Sequence, residues 1–286
     1  MKEKCQSDRI ETLACGTMIQ HGKYNNRIYL MKAAQGMPPT IPAELIKKAN
    51  EKGYTKIFVK IPQKMSEPFL LEGFQIEAMI PEFYTGNDSC VFLAYCLCKE
   101  RAERKNLKQY RDILSLACAS RQTPRKRLPE KAFKIRRCGK PDIPEMVRIY
   151  KIVFPSYPFP IDSPDYLEET MKSHVYYYCV EYNNEVIALS SAEMDAASRT
   201  AEMTDFATLP DWRGHGLSGY LLRFMESDLC QHIQTAYTIA RAKSIGMNIT
   251  FARHNYIFSG RLTQNTHISG DIESMNVWYK KTGSSA

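Results

Sequence analysis

The chain has 286 residues, a formal net charge of +8, 44% hydrophobic residues and 24% charged residues. This composition is typical of a globular protein rather than a disordered one, and the length suits one large domain or two of ordinary size. No stretch approaches the ~18 apolar residues of a membrane span, and the first residues lack the apolar core of a secretory signal, so we expect two domains in a cytoplasmic protein with no membrane partner.

The N-terminal part predicts a helix followed by three strands. The amphipathic segment IPAELIKKANEKG at 41–53 predicts a helix that ends at Gly53. Strands are predicted at 54–62, 69–81 and 89–97, and the turn-rich YTGNDS joins the last two. We therefore predict an N-terminal α/β domain over residues 1–125.

A basic segment at 121–137, RQTPRKRLPEKAFKIRR, separates the two halves of the chain. It contains prolines and lacks a sustained helical period, so it favours a solvated linker over a surface that reads nucleic acid. No zinc finger, aromatic RNP motif or helix-turn-helix signature is present. We expect a domain boundary here and no nucleic-acid partner.

The C-terminal part, residues 134–286, predicts a mixed sheet. A strand and a helix with Pro144 near its start are followed by the proline-rich PSYPFPIDSP and a helix at 165–171. Next come a hairpin of strands at 175–182 and 186–194, a strand at 201–210, a glycine-rich turn and a helix to about residue 232. A strand at 236–242, a short helix at 248–254 and a final strand pair complete an α/β (α+β) fold with a mostly antiparallel sheet flanked by helices.

The cysteines argue against a disulfide framework or a metal site. There are nine of them, scattered along the chain without a C-x-x-C pair. This pattern is typical of reduced thiols in a cytoplasmic protein. No metal cofactor is predicted.

The turn DWRGHGLSG carries the clearest chemical signal. Backbone N–H groups at the start of a helix suit a pyrophosphate, and glycines allow close approach. Its glycines match G-x-G-x-x-G, but three antiparallel strands precede it and no acidic residue ends a following parallel strand, so a dinucleotide-binding βαβ unit is disfavoured. On local grounds alone, phosphate binding and a plain strand–turn–helix both remain open.

The run AEMTDFATLPDWRGHGLSGYLL resembles the acetyl-CoA signature R/Q-x-x-G-x-G/A of the GNAT N-acetyltransferases, with serine in place of its last Gly or Ala. The resemblance covers residues 134–286 and implies a GNAT fold that binds acetyl-CoA. It implies that the strand ending at Leu209 lines the pantetheine and that Asn248 contacts the cofactor arm. It also implies that a run of backbone N–H groups holds the pyrophosphate, namely those of Arg213, Gly214, His215, Gly216, Leu217 and Ser218.

Four separated segments, YPFPI, AEMTDFATLP, GMN and IESMNVWYK, are similar to the subfamily of β-lysine N6-acetyltransferases. This implies acetylation of the terminal amine of β-lysine, by direct attack in a ternary complex, to give a compatible solute that protects against osmotic stress. Lysine or a polyamine as the acceptor, or a regulator that binds acyl-CoA without turnover, are the alternatives. The segment His254-Asn255-Tyr256 departs from the family pattern and leaves the general acid unassigned.

Two carboxylates in the strand at 201–210 are candidates for the catalytic base, because an alkyl ammonium must lose its proton before it attacks. Strict alternation places Glu202 and Asp205 on opposite faces. By its position Glu202 matches the GNAT base and is preferred. Asp205 is the second choice if a bulge reverses the faces. The alternatives are pairing with Arg199, or one carboxylate as base and the other as anchor of a second ammonium.

The proline-rich loop lies where GNAT enzymes build the acceptor site, so Tyr157 and Phe159 are predicted walls for the acceptor chain. The N-terminal domain is similar to the second half of a GNAT domain. It lacks R-x-x-G-x-G, so we expect a degenerate half-copy that binds no acetyl-CoA and either packs on the catalytic domain or completes a homodimer.

Overall fold

The computed structural model describes residues 8–85, 87–122 and 133–282, and these residues form two mixed β-sheets with helices on their outer faces. Most of the basic segment and of the predicted domain boundary lies outside the described residues. No helix in the described part of the chain combines the length and the apolar character needed to cross a bilayer. The predicted α/β class and mixed sheet flanked by helices are confirmed.

The N-terminal unit, residues 8–102, contains a six-stranded sheet in the order β1-β2-β3-β4-β6-β5. Only the β3–β4 pair is parallel, and α1 makes the crossover between these two strands. The strands are Arg9–Thr12, Met18–Gly22, Arg27–Lys32, Lys56–Pro62, Gln75–Tyr84 and Asp88–Cys96 (β1 to β6), and the helices are Ile41–Lys52, Glu67–Leu71 and Lys99–Ala102 (α1 to α3).

The C-terminal unit, residues 133–282, contains a seven-stranded sheet in the order β12-β13-β11-β10-β9-β8-β7. Its strands are Phe133–Arg137, Val175–Tyr182, Glu185–Asp195, Thr200–Thr208, Thr235–Arg241, Ile257–Ile268 and Asp271–Lys281 (β7 to β13). Helix α4, Leu107–Ala119, precedes this unit, and its helices are Ile143–Val153, Pro164–Lys172, Leu217–Leu229 and Ile245–Arg253 (α5 to α8).

The two sheets share one topology. Strands β1 to β6 pair in the same order and with the same directions as β8 to β13, including a single parallel pair, β3–β4 in one and β10–β11 in the other. Helices α1 and α7 make the equivalent crossovers. The N-terminal unit therefore repeats six strands of the C-terminal sheet, and the predicted half-copy was too small.

The predicted half-copy left out strands β1 to β3, which the sequence pattern did not indicate. These strands have only four to six residues, and the burial of β2 and β3 is continuous rather than alternating, so their period-2 pattern is weak. The predicted strand at 69–81 begins instead with helix α2 and a turn at Gly73, and its strand starts at Gln75. The predicted helix end at Gly53 is confirmed, because Gly53 adopts the left-handed conformation that closes α1.

Helix α4 was also not predicted, and its packing explains its stability. It lies before the predicted boundary at residue 125, yet Leu114 and Ala117 pack into the core of the C-terminal unit. At its end, Arg253 of α8 donates to the carbonyl of Ser120 at 3.3 Å. The N-terminal segment thus supplies part of the C-terminal core.

The inner faces of the two sheets pack against each other through a shared apolar cluster. Lys56 of β4 is fully buried in this interface, where it donates to Glu77 Oε2 at 2.9 Å and to the Thr263 carbonyl at 2.6 Å. The cluster contains residues of both sheets: Tyr29, Phe58, Ala78, Ile80, Phe83, Cys90, Phe92, Tyr237, Leu262, Ile268, Met275 and Val277. The N-terminal unit therefore packs against the inner face of the C-terminal sheet.

The backbones of the two units approach each other closely at Gly260 of β12. A Cβ at this position would lie 2.2 Å from the Glu77 carbonyl oxygen and 2.7 Å from Ala78 Cα. We expect Gly260→Ala to lower the free energy of unfolding by about 1–3 kcal/mol, because the backbones must move apart. Urea denaturation measures this difference. Gly139→Ala is the control, since its Cβ would meet only Pro141 at 3.6 Å, and equal effects in the two variants would contradict the prediction.

Candidate active site

A deep cleft begins where β10 and β11 separate. These parallel strands pair only over residues 200–202 and 235–237, and beyond Glu202 and Tyr237 they diverge. The cleft has a volume of about 1970 Å³ and is lined by both units, from Gly214 and Gly216 at one end to Arg27 and Tyr29 of the N-terminal unit. The gap leaves the facing backbone edges of β10 and β11 without strand partners beyond Glu202.

The turn between β10 and α7, residues 210–218, is here called the glycine step. Gly214 and Gly216 have φ values of +82° and +75°, and a Cβ at either position would meet nothing within 4 Å. Arg213 N donates to the Pro210 carbonyl at 3.2 Å, so this one N–H of the predicted set is already used. Among the described residues, no acceptor is found for the N–H groups of 214–218. The step therefore has five backbone donors that remain available to an anion.

Two predicted cofactor residues of this region turn their side chains away from the cleft. The His215 ring is exposed, with Nδ1 3.1 Å from the Trp212 carbonyl, and Leu209 packs against the apolar core. Ser218, by contrast, lines the cleft together with Leu217. His215 and Leu209 offer only backbone groups to a ligand.

Asn248 is buried behind the cleft rather than on its wall. Its Nδ2 donates to the carbonyls of Arg241 and Ser244 at 3.0 and 2.7 Å. Its Oδ1 accepts from Asn276 Nδ2 and Trp278 Nε1 at 2.8 and 2.9 Å. These four bonds use every donor and acceptor of the amide. Asn248 thus orders the junction of β11, α8 and β13, and its contact with the cofactor arm stays a prediction.

Strand β10 contains a β-bulge that corrects the predicted faces. Thr204 pairs with Ser191 and Ala207 with Leu189, so two residues of β10 oppose one of β9. Asp205 occupies the bulge with φ +54°. Its side chain consequently lies on the same side as Glu202, and both carboxylates line the cleft. The opposite faces expected from strict alternation are therefore not found, because the bulge that the sequence analysis named as the exception is present.

Two hydroxyl groups hold the buried carboxylate of Asp205. Ser191 Oγ donates to Oδ2 at 2.6 Å, and the Tyr157 hydroxyl donates to Oδ1. Burial raises the pKa of Asp205, and these hydroxyl donors oppose the shift. Asp205 is thus fixed in position by the proline-rich loop and by β9.

Glu193 is a third carboxylate of the cleft, which the sequence analysis missed. It lies directly opposite Glu202 in the β9–β10 register, and Glu202 lies opposite Tyr237 in the β10–β11 register. Burial, followed by the charges of Glu202 and Asp205, raises the pKa of Glu193 to about 8. Burial also raises the pKa of Glu202, and the charge of Lys60 partly offsets that shift. The repeated AEM at 192–194 and 201–203, read as two strands of one hairpin, would have indicated this pair.

Lys60 comes to this cluster from β4 of the N-terminal unit. Its Nζ donates to the Tyr237 hydroxyl at 3.1 Å. Burial lowers the pKa of Lys60, but interactions with the surrounding side chains outweigh this effect and hold the pKa well above its ordinary value. Lys60 is therefore a positive charge beside the carboxylates, and the alternative partner Arg199 is exposed and forms no ion pair among the described residues.

The predicted acceptor residues Tyr157 and Phe159 both line the cleft. Tyr157 links the proline-rich loop to Asp205 through its hydroxyl, and Phe159 packs with the apolar cluster beneath α5 and α6. Tyr256, in the segment that departs from the family pattern, is fully buried in the other core. Its hydroxyl does not line the cleft.

Glu193 makes stability dependent on pH. A carboxyl pKa raised from 4.5 to about 8 in the folded state contributes stability that is complete below 4.5 and is lost as the pH rises through 8. Glu193→Gln keeps a neutral side chain at every pH. We expect it to match the wild-type Tm at pH 5 and to exceed it by about 4 °C at pH 9 in thermal unfolding. Glu185→Gln, at an exposed position of the same strand, should show no such dependence, and an equal gain at both pH values would refute the charge argument.

The similarity to known proteins covers nearly the whole chain. Residues 144–246 match the Acetyltransferase (GNAT) family. The chain is 37% identical over 269 residues to the Beta-lysine N(6)-acetyltransferase of Methanococcus maripaludis, an alignment covering 92% of this chain and 96% of that protein. It is 30% identical over 275 residues to the N-acetyltransferase YodP of Bacillus subtilis, covering 95% and 98%. It is 32% identical over 238 residues to the Beta-lysine N(6)-acetyltransferase of Methanosarcina mazei, covering 76% and 87%.

Proposed function

We propose, from the premise that the chain belongs to the GNAT acetyltransferase family, that it transfers the acetyl group of acetyl-CoA to the terminal amine of β-lysine. One observation carries this proposal. The gap between β10 and β11 joins the anion-binding glycine step to a cluster of three carboxylates, Glu193, Glu202 and Asp205. Two of the relatives bear the name Beta-lysine N(6)-acetyltransferase, which supports the choice of acceptor.

Acetyl-CoA fits the glycine step and the strand gap. The N–H groups of 214–218 have no acceptor among the described residues and lie at the start of α7, where the helix dipole favours the negative pyrophosphate. The facing edges of β10 and β11 offer backbone donors and acceptors to the amides of the pantetheine arm. This path leads the thioester toward Glu202, the last residue of β10 paired with β11.

Glu202 is proposed as the general base. At neutral pH the raised pKa of Glu193 favours its protonated form, whereas the charge of Lys60 opposes the upward shift at Glu202, so Glu202 is the proposed proton acceptor of the opposed pair. Glu202 takes a proton from the acceptor ammonium, directly or through water. The neutral nitrogen then attacks the thioester carbon within a ternary complex, the C–S bond breaks, and the proton balance closes when the sulfur of CoA is protonated.

Asp205 is proposed to anchor the second ammonium of the acceptor. Its two hydroxyl donors fix its orientation and oppose the rise of its pKa on burial, and it shares the face of Glu202. Tyr157 and Phe159 supply apolar walls for the methylene chain between the two amines. A diamine is thus matched by one carboxylate at each nitrogen.

The deciding experiment is acetylation of a panel of amines. The protein is incubated with acetyl-CoA and β-lysine, lysine or spermidine, while thiol release and product mass are followed. Turnover of β-lysine far above the other amines supports the proposal. Preference for another amine would reassign the acceptor, and binding of acetyl-CoA without turnover of any amine would refute an enzymatic role.

We also propose a physiological role and a cellular compartment for the reaction. Acetylation removes one positive charge from β-lysine and leaves a zwitterion of zero net charge, as suits a compatible solute that protects against osmotic stress. The eight cysteines among the described residues are free thiols, which suits the reducing cytoplasm. One chain supplies both walls of the cleft described above. The site itself therefore gives no argument for a second subunit, and a homodimer stays a prediction.

A further inference from the structure

Two arginines of the N-terminal unit are buried at its interface with the C-terminal unit. Arg27 of β3 and Arg101 of α3 are each only 4% exposed. Arg27 Nη1 donates to the Asn265 carbonyl and to Thr266 Oγ1, and Arg101 Nη2 donates to the carbonyls of Asn25 and Asn265. Both guanidinium groups therefore approach the same carbonyl of β12.

No carboxylate neutralises these two charges. Within the described residues neither arginine forms an ion pair, and Nε of each is buried without a hydrogen-bond partner. Asp8 acts electrostatically on both arginines and Glu77 acts on Arg101, but Asp8 is bonded to Asn25 and Glu77 to Lys56. Burial, followed by the charge of Arg101, lowers the pKa of Arg27 to about 10, so both remain charged at neutral pH. A buried cation without a counter-ion is unfavourable unless an anion joins it.

Arg27 is the member of the pair that reaches the cleft. It lines the same cleft as Glu202, and within the described chain its Nη2 makes no hydrogen bond. Its guanidinium lies over the rings of Tyr29 and Phe58, at 5.4 and 5.5 Å from their centroids, which orients the planar group. The free edge of Arg27 is thus available to a ligand in the cleft.

The free guanidinium of Arg27 and the carboxylates line the same cleft. Tyr29, which also lines the cleft, interacts electrostatically with Arg27, Lys60 and Glu202. A ligand that reaches both must carry its reacting amine at one end and a negative group at the other. A diamino acid has this arrangement, whereas a polyamine does not.

We propose that Arg27 binds the carboxylate of the acceptor amino acid, so that the N-terminal unit, which lacks a glycine step, selects amino acids over plain diamines. This assignment rests on the function proposed above. The planar guanidinium pairs with a carboxylate through parallel N–H···O bonds that an ammonium does not reproduce.

The test compares β-lysine with 1,4-diaminopentane, which is the same diamine without the carboxyl group. For the wild type, we expect a KM for β-lysine about 10- to 100-fold lower than for the diamine. Arg27→Gln should raise the KM for β-lysine by a similar factor, leave the diamine unaffected and leave the KM for acetyl-CoA unchanged. Arg27→Lys, which keeps the charge and is the safer variant for folding, should show an intermediate loss. Arg104→Gln, at an exposed position, is the matched control.

The outcomes separate this inference from the function on which it rests. Wild-type turnover of the two acceptors with equal KM, or an acid preference retained in both Arg27 variants, would overturn the role of Arg27 while leaving the acetyltransferase intact. An increase confined to the KM for acetyl-CoA would assign Arg27 to the coenzyme and likewise overturn the proposal. Absence of turnover with every amine would instead refute the proposed function.

Discussion

Glu202→Gln is expected to lower kcat for β-lysine by about 10²-fold or more. The substitution keeps the size and position of the side chain but removes the group that accepts the ammonium proton. The affinity for acetyl-CoA should not change, because the glycine step does not involve this residue. Steady-state assays of thiol release give kcat, and calorimetry of acetyl-CoA binding shows whether the coenzyme site is intact.

Two further variants distinguish the base from its neighbours. Glu185→Gln, at an exposed end of β9, should be fully active. Asp205→Asn should mainly raise the KM for β-lysine, because Asp205 is assigned to the second ammonium of this acceptor. If Asp205→Asn lowers kcat as strongly as expected for Glu202→Gln, while Glu202→Gln is active, then Asp205 is the base.

Local sequence patterns were sufficient for the elements that carry regular alternation or turn signals. The β8–β9 hairpin, the glycine step and the end of α1 at Gly53 each follow from a few adjacent residues. Strands β1 to β3 and helix α4 were missed because their stability comes from packing against distant segments. Recognition of the six-strand repeat in the N-terminal unit required those strands, so the sequence suggested only a half-copy.

The site was predictable only where it lies within one strand. Glu202 and the glycine step were proposed from the GNAT resemblance of one continuous segment, but the position of Asp205 depended on a bulge that strict alternation does not reveal. Lys60 and Arg27 come from the other sheet, and they meet the cleft only because the two inner faces pack together. The buried network around Asn248 was not predictable for a related reason, since its partners Asn276 and Trp278 lie on a strand distant in sequence.

The two units use one topology for different tasks. In the N-terminal sheet the parallel pair β3–β4 stays paired over residues 27–30 and 56–59, and the following connection has Pro38 and Pro39 in place of a glycine step. In the C-terminal sheet the equivalent strands separate after three pairs. The open pair can admit a coenzyme arm, while the closed pair presents an intact inner face. That face carries Arg27, Tyr29 and Lys60 toward the cleft.

Gly216→Ala is expected to weaken acetyl-CoA binding by about 10- to 100-fold, as measured by calorimetry. Gly216 has φ +75° and open space in front of its Cα, so a methyl group would project toward the anion bound by the N–H groups of 214–218. A lost charge-assisted hydrogen bond from one of these donors contributes a factor of this size. The affinity for β-lysine should change less, because the acceptor lies at the other end of the cleft.

Gly36→Ala separates the effect of the ligand from that of backbone strain. Gly36 has φ +79° and equally open surroundings, so an alanine there carries the same left-handed strain of roughly 1 kcal/mol. Both variants should therefore lose similar amounts of thermal stability, while only Gly216→Ala loses acetyl-CoA affinity. Wild-type affinity in Gly216→Ala would show that the pyrophosphate does not approach this glycine. Equal losses of affinity in the two variants would attribute the effect to strain rather than to contact, because Gly36 lies outside the glycine step.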